Sequence, residues 1–177
     1  METQFTIALL STGGTIEKTY DESEGVLANG ISVLDTMLCS LQLDGVSINR
    51  VNLMNKDSLD MTDEDHEKIA DEVAKQAIHH DGVIVIHGTD RLSVTGEKIY
   101  KKYPELQVPC VLTGAMRPWI MKNTDALQNL VESFAVVQLL QAGVYIAMHN
   151  IVLQFPCVTK DKTEMRFVKK ASQYIVK

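Results

Sequence analysis

Short polar segments of this chain carry the side chains that can do chemistry. They are Ser11-Thr12-Gly13-Gly14-Thr15, Asn55-Lys56-Asp57-Ser58, His87-Gly88-Thr89-Asp90, Thr113-Gly114-Ala115-Met116-Arg117-Pro118 and Thr159-Lys160. Between them they offer hydroxyls, a carboxylate and an amine, with glycines that expose backbone N–H groups. That set suits acyl transfer. A threonine hydroxyl is a weak nucleophile and needs a base to take its proton. Lys160 is the amine of the set. Desolvation would make it a base near neutral pH, whereas the Asp90 carboxylate would favour its charged form, so the two effects oppose. Backbone N–H groups around Gly14-Thr15 and Gly88-Thr89 suit an oxyanion.

Taken singly, most of these residues have a plainer reading. Each hydroxyl reads as a cap or turn residue. Asp90 precedes a helical stretch and reads equally well as its N-cap. Lys160 stands near Lys162, Lys169 and Lys170 and reads as a solvated charge. Tyr20 lies in the polar stretch 17–24, and Gly13-Gly14 reads as a tight turn. Convergence on one edge of a sheet is what favours the functional reading. No GxGxxG or GxxxxGK[ST] occurs, which disfavours a dinucleotide or nucleoside triphosphate. His87 and His149 flank strand ends and read as structural, and Arg117 reads as a loop anchor.

The chain has 177 residues, 45% hydrophobic and 23% charged, with a formal net charge of -6. That composition fits one globular domain over 1–177 with no second domain, and excludes a disordered tail, a collagen-like fibre and a disulfide scaffold. Cys39, Cys110 and Cys157 are odd in number and widely spaced. They are expected as buried, reduced thiols, with no metal and no cofactor. No basic stripe stands out before 160–170, so no nucleic-acid partner is expected. The N-terminus lacks a basic region ahead of an apolar one, and the longest apolar candidate, 127–148, is interrupted by Gln128, Asn129, Glu132, Gln138 and Gln141. No membrane partner and a cytoplasmic location are the expectations.

The elements that must position the polar segments follow from periodicity. Strands are expected over 5–10, 46–53, 83–86, 108–112, 144–148 and 151–153, most of them continuous apolar runs. Helices are expected over 31–41, 62–79 and 91–103, and from a Thr124 cap to 141. Thr62 with Asp65 makes a capping-box start, and Ile69, Val73 and Ala77 give one buried face. Continuous apolar strands alternating with helices predict an α/β fold, a mostly parallel sheet with helices on both faces. In such sheets ligands bind beyond the carboxyl ends of the strands, where each polar segment falls. The stretch after Lys160 is expected to be helical or irregular.

Ser11-Thr12-Gly13-Gly14-Thr15-Ile16 resembles the first signature of the L-asparaginase / glutaminase-asparaginase family, and Val85-Ile86-His87-Gly88-Thr89-Asp90 resembles the second. Thr113-Gly114-Ala115-Met116-Arg117-Pro118 and Val158-Thr159-Lys160 are similar to further family segments, in the same order. The resemblance implies a flavodoxin-like fold of the asparaginase N-terminal-domain type, in a short form without the C-terminal domain. It implies that Thr15 attacks the side-chain amide carbon and forms an acyl-enzyme, with Tyr20 against it assisting proton transfer. It implies that Thr89, Asp90 and Lys160 form a second triad, Lys160 and Thr89 relaying protons and Asp90 holding the substrate α-amino group. Ser58 would bind the α-carboxylate, with backbone help from Asp57, Leu59 and Gly88, Gly14 would be a further substrate-binding residue, and the Ala115 carbonyl would accept from the amide nitrogen.

Three departures accompany the resemblance. The small second domain is absent from the sequence, Leu59 stands where many two-domain members carry Gln, and Arg91 replaces a small polar residue. The expected reaction is hydrolysis of L-asparagine to L-aspartate and ammonia, with L-glutamine as a second candidate substrate. The alternatives are an amidase for another amide and a non-catalytic amino-acid-binding module. A homo-oligomer, a dimer or larger, is expected because the absent domain would leave the site edge unshielded.

Overall fold

The computed structural model describes residues 4–29 and 33–170. Six strands form the main sheet: β1 (Phe5–Gly13), β4 (Val46–Lys56), β5 (Gly82–Ile86), β6 (Pro109–Thr113), β7 (Gly143–Met148) and β8 (Ile151–Gln154). Their spatial order is β4-β1-β5-β6-β7-β8. All neighbours are parallel except β7 and β8. The five parallel strands, counted in chain order, therefore lie 2-1-3-4-5. That is the flavodoxin-like order, whose direction of winding reverses between the first and third strands. Here the reversal lies between β1 and β5.

Successive side chains of a strand point to opposite faces, so a continuous apolar strand must be covered twice. Ala8 and Leu10 of β1 face α2 (Asp63–Ala77) and α3 (Leu92–Lys102), packing with Ile69, Val73, Leu92 and Ile99. Ile7 and Leu9 face α1 (Leu34–Cys39) and α4 (Ala126–Val137), packing with Leu34, Met37, Leu130 and Phe134. The result is three layers with a core on each side of the sheet. Helix α2 starts as its sequence predicts: the Thr62 hydroxyl accepts from Asp65 N, and the Asp65 carboxylate accepts from Thr62 N. The Thr124 hydroxyl accepts from Ala126 N at the start of α4.

Several elements differ from the periodicity reading. Residues 17–24, read as a polar loop, contribute β2 (Lys18–Asp21), which pairs antiparallel with β3 (Val26–Asn29). Residues 161–169, within the stretch expected to be helical or irregular, are neither; the part of that stretch beyond residue 170 lies outside the described ones. β9 (Val158–Asp161) and β10 (Arg166–Lys169) form a second antiparallel hairpin, with Phe167 buried against the core. Val158 is buried too, but strands of four residues are too short for a period-two pattern to register. The first helix starts at Leu34, its expected residues 31–32 lying outside the described ones. The fourth ends at Val137 rather than at 141. The three thiols are free as expected, but of the three Cys110 alone is buried: Cys39 is exposed and Cys157 half-buried.

Gly96 in α3 shows how tightly this helix sits on the sheet. A Cβ at that position would meet the Phe155 ring, standing 2.5 Å from Cε2. Phe155 is itself fully buried, so its ring has little room to retreat. Ala is favoured over Gly in a helix by about 1 kcal/mol. Overpacking of a rigid core costs about 1–3 kcal/mol. Gly96→Ala is therefore expected to lower stability by about 2 kcal/mol in urea unfolding, the clash outweighing the propensity gain. Equal or higher stability would show that the ring yields.

Candidate active site

The glycines explain how loops from four strands reach one point. Gly14, at φ +87°, lies so close to the β5 loop that a Cβ on it would stand 2.5 Å from Gly88 Cα. A Cβ on Gly88 would lie 2.6 Å from Ser58 Oγ. A Cβ on Gly114 would overlap the His87 carbonyl oxygen. Side chains at any of these positions would force the loops apart. Backbone bonds complete the junction: Gly14 N donates to Lys56 O at 3.0 Å, His87 N to Thr113 O at 2.8 Å and Trp119 N to Ile16 O at 3.4 Å. The junction stands at the topological reversal between β1 and β5, where ligands of open parallel sheets bind.

Lys160 is delivered to this edge by β9. Its Nζ donates to Thr89 Oγ1 and to Asp90 Oδ1, both at 2.8 Å, and its side chain is only 9% exposed. The lysine is thus an inward-facing member of a Thr-Asp-Lys cluster and not a solvated charge. Asp90 does not cap α3; Arg91 is the capping residue and makes no side-chain cap bond. Thr89 is buried. Thr15 is half-buried at the start of a single turn of 3-10 helix, Thr15–Glu17, directly after Gly14. The Gly14–Gly88 contact brings the Thr15 and Thr89 loops into touch.

Ser58 is 1% exposed, and its Oγ has no hydrogen-bond partner among the described residues. An unpaired buried hydroxyl costs free energy, which a ligand that accepts from it would recover. Asp57 accepts from Leu59 N at 3.0 Å and from Lys18 Nζ at 2.6 Å. The Lys18 bond, then that from Leu59, holds its carboxyl below the usual range. The Lys18 bridge also ties β2 to the Ser58 loop.

Some of the resemblance-derived roles meet geometry that limits them. The Gly14 and Leu59 N–H groups are engaged by Lys56 O and Asp57, so neither is free for a ligand. The Leu59 side chain is 65% exposed and points away from the core. Tyr20 sits on β2 and is 59% exposed, outside the Thr89–Lys160 cluster. Arg117 anchors its loop through Asn123 O, as its sequence position suggests.

Other residues shape the site without having been singled out in the sequence. Glu17 is a buried carboxylate that accepts from Ser11 Oγ at 2.6 Å and from Gly13 N at 3.2 Å, fixing the first glycine turn. Asp125 accepts from Met116 N and Arg117 N, both at 2.9 Å, and from His149 Nε2 at 2.7 Å. Burial pushes the Asp125 carboxyl up, but those bonds outweigh it and the net direction is down. In a trans peptide the C=O and N–H point opposite ways. With Met116 N–H held by Asp125, the Ala115 carbonyl is aimed to the other side. Neither carboxylate is legible in the sequence, because each serves a backbone turn whose course only the fold defines.

No group of three or more His, Cys, Asp or Glu side chains among the described residues could hold a metal ion, and no described helix is long and apolar enough to cross a membrane. His87 is fully buried, and burial lowers its imidazole to about 4. A histidine buried neutral is protonated in the unfolded chain first, so the unfolded state binds more protons below pH 6.5. Stability therefore falls as pH drops from 6.5 towards 4. Urea unfolding should show a loss of roughly 2 kcal/mol between about pH 7 and pH 4.5 from this residue alone. Flat stability over that window would contradict the buried neutral ring.

The comparisons with known proteins agree with this architecture. Residues 6–171 match the family described as Asparaginase, N-terminal. The L-asparaginase of Thermococcus kodakarensis is 28% identical over 154 residues, 87% of this chain and 47% of that protein. Its solved structure superposes with a TM-score of 0.77 over 88% of this chain and 48% of that one. A probable cytoplasmic L-asparaginase from Campylobacter jejuni gives a TM-score of 0.75 at 30% identity, covering 89% of this chain and 50% of that one. A glutamyl-tRNA(Gln) amidotransferase component from Methanosphaera stadtmanae is 33% identical over 149 residues, 81% of this chain and 33% of that protein. The chain thus spans about half the length of the L-asparaginases it matches, and a third of the amidotransferase component. The glycine junction, the lysine-centred cluster beside it and the family match lead to one conclusion: the chain belongs to the asparaginase family.

Proposed function

We propose that this chain hydrolyses the side-chain amide of L-asparagine, giving L-aspartate and ammonia through a threonine ester. The observation that carries this reading is the Lys160 amine bridging Thr89 Oγ1 and Asp90 Oδ1 beside the Gly14–Gly88 contact. Thr15 Oγ attacks the amide carbon and gives up its proton. The C–N bond breaks, the nitrogen takes a proton and ammonia leaves. Water then adds to the ester, and the C–O bond to Thr15 breaks as aspartate departs. Lys160 and Thr89 lie within hydrogen-bond reach of each other to pass protons during these steps. Assignment of Thr15 as the first nucleophile follows family resemblance, with Tyr20 joining it if the β2–β3 hairpin moves inward.

The remaining roles are also proposals. The unpaired Ser58 hydroxyl donates to the α-carboxylate, Asp90 pairs with the α-ammonium, and the aimed Ala115 carbonyl accepts from the amide nitrogen. Asp57 and Leu59 support the Ser58 turn through their mutual bond, and Gly14 and Gly88 through their close approach. No metal or cofactor enters this scheme. A reduced, cytoplasmic setting fits the free thiols. A homo-oligomer, a dimer or larger, is the expected assembly.

Glutamine, or an amide in a larger substrate, is the second reading. It is favoured by the similarity to components of glutamyl-tRNA(Gln) amidotransferases. Ammonia release measured in parallel from asparagine, glutamine and small amide-bearing peptides ranks the candidates. Thr15→Ala, Thr89→Ala and Lys160→Met should each cut that release by at least about a hundredfold with the fold intact. Turnover near that of the parent protein in Thr15→Ala would end the nucleophile assignment. Thermal stabilisation by aspartate without ammonia release from any amide would show a binding module instead.

A further inference from the structure

Behind the β5 loop lies a buried polar chain that the proposed chemistry does not use. Thr95 of α3 and His66 of α2 are both buried, as is His87. Thr95 Oγ1 lies 2.7 Å from His87 Nε2 and 2.7 Å from His66 Nδ1. His87 Nδ1 lies 2.8 Å from Gly88 O. The two rings are stacked, their centroids 6.2 Å apart and their planes 12° from parallel.

Donor and acceptor counting gives this chain one direction. A carbonyl oxygen only accepts, so His87 Nδ1 carries a hydrogen. A neutral His87 then has a bare Nε2, which must accept the single hydroxyl hydrogen of Thr95. Thr95 Oγ1 has only lone pairs left, so His66 donates from Nδ1. The neutral His66 ring is left with a bare Nε2, and that atom is buried with no partner among the described residues. Burial lowers the proton affinity of both rings, which keeps them neutral. Every bond runs from His66 towards Gly88.

We propose that His66 and Thr95 are positioning residues for the active site: their chain through His87 fixes the Gly88 carbonyl and so sets the orientation of the Gly88–Thr89 peptide. Because that peptide is trans-planar, holding the carbonyl against His87 turns Thr89 N–H to the opposite side. The same peptide carries Thr89 into reach of Lys160 and keeps Gly88 against Gly14 and Ser58. Rotation of one peptide would thus disturb several loops at once. Neither residue touches the reacting atoms; both act through His87.

The inference rests on the amide-hydrolysis reading for its kinetic test and on nuclear magnetic resonance for an independent one. Thr95→Val keeps the shape and removes the hydroxyl, whereas Thr95→Ser keeps the hydroxyl. Misplacement of reacting groups lowers kcat, so Thr95→Val should reduce kcat for ammonia release by about ten- to a hundredfold. KM should change by no more than about threefold, and Thr95→Ser should return kcat to within about threefold of the parent protein. The amide resonances of Gly88 and Thr89 should shift in Thr95→Val and return in Thr95→Ser. In the parent protein at neutral pH, nitrogen spectra should show His66 and His87 protonated on Nδ1. Parent-like kcat in Thr95→Val, a Thr95→Ser variant as slow as Thr95→Val, or either ring protonated on Nε2 overturns the proposal. If the parent protein releases no ammonia, the hydrolytic reading falls, and the Gly88 and Thr89 resonances decide the positioning role. If Thr95→Val does not fold, the ring protonation and Thr95→Ser decide it.

Discussion

Close approach of loop backbones around His87-Gly88 is the constraint on which the rest of the site depends. Gly14, Gly88 and Gly114 each lack a Cβ where a neighbouring loop already occupies the space. A β-carbon at any of them would separate segments that are joined by short backbone bonds. The parallel sheet alone delivers loops to a common edge. It does not bring them into contact; the missing side chains do.

Carboxylates then set the loops in fixed orientations. Glu17 gathers the first glycine turn, Asp57 the Ser58 turn, and Asp125 the Met116-Arg117 turn. Each accepts from backbone N–H groups that would otherwise lie unpaired. Asp57 also receives Lys18 from the β2–β3 hairpin, so the one hairpin of the first loop is tied to the second loop. Asp90 differs from these three: it turns to Lys160 rather than to a backbone turn, and it is partly exposed at the site edge. On the proposed reading, that leaves it available for a substrate ammonium.

The main architecture was legible because most of the parallel strands are apolar runs closed by a polar turn, β4 being the longer and more polar exception. Residues 83–86 and 144–148 are plain examples, and the Thr62/Asp65 cap of α2 was visible from three residues' spacing. The two hairpins were not, since β2 and β9 are polar, short and paired only with a neighbour in sequence. The polar turns and the lysine could be placed on one edge from sequence. The packing of Gly14 on Gly88 could not, because it depends on strand order: β5 follows β1 in space although β4 comes between them in the chain. Engagement of Gly14 N–H by Lys56 O was hidden for the same reason. The chain from His66 through Thr95 to His87 joins two helices and a loop, and its residues carry no spacing signal at all. Resemblance supplied the roles of Thr15 and Tyr20, and the structure shows Tyr20 exposed on β2.

A crystal structure of the protein grown with L-aspartate tests the convergence of these loops most directly. The expected result is one aspartate molecule at the β1–β5 reversal, touching Thr15, Ser58 and Thr89 together, with the glycine contacts unchanged. An aspartate bound elsewhere, or one that reaches Thr89 while the Thr15 loop stays out of contact, would contradict a single site built by backbone contact.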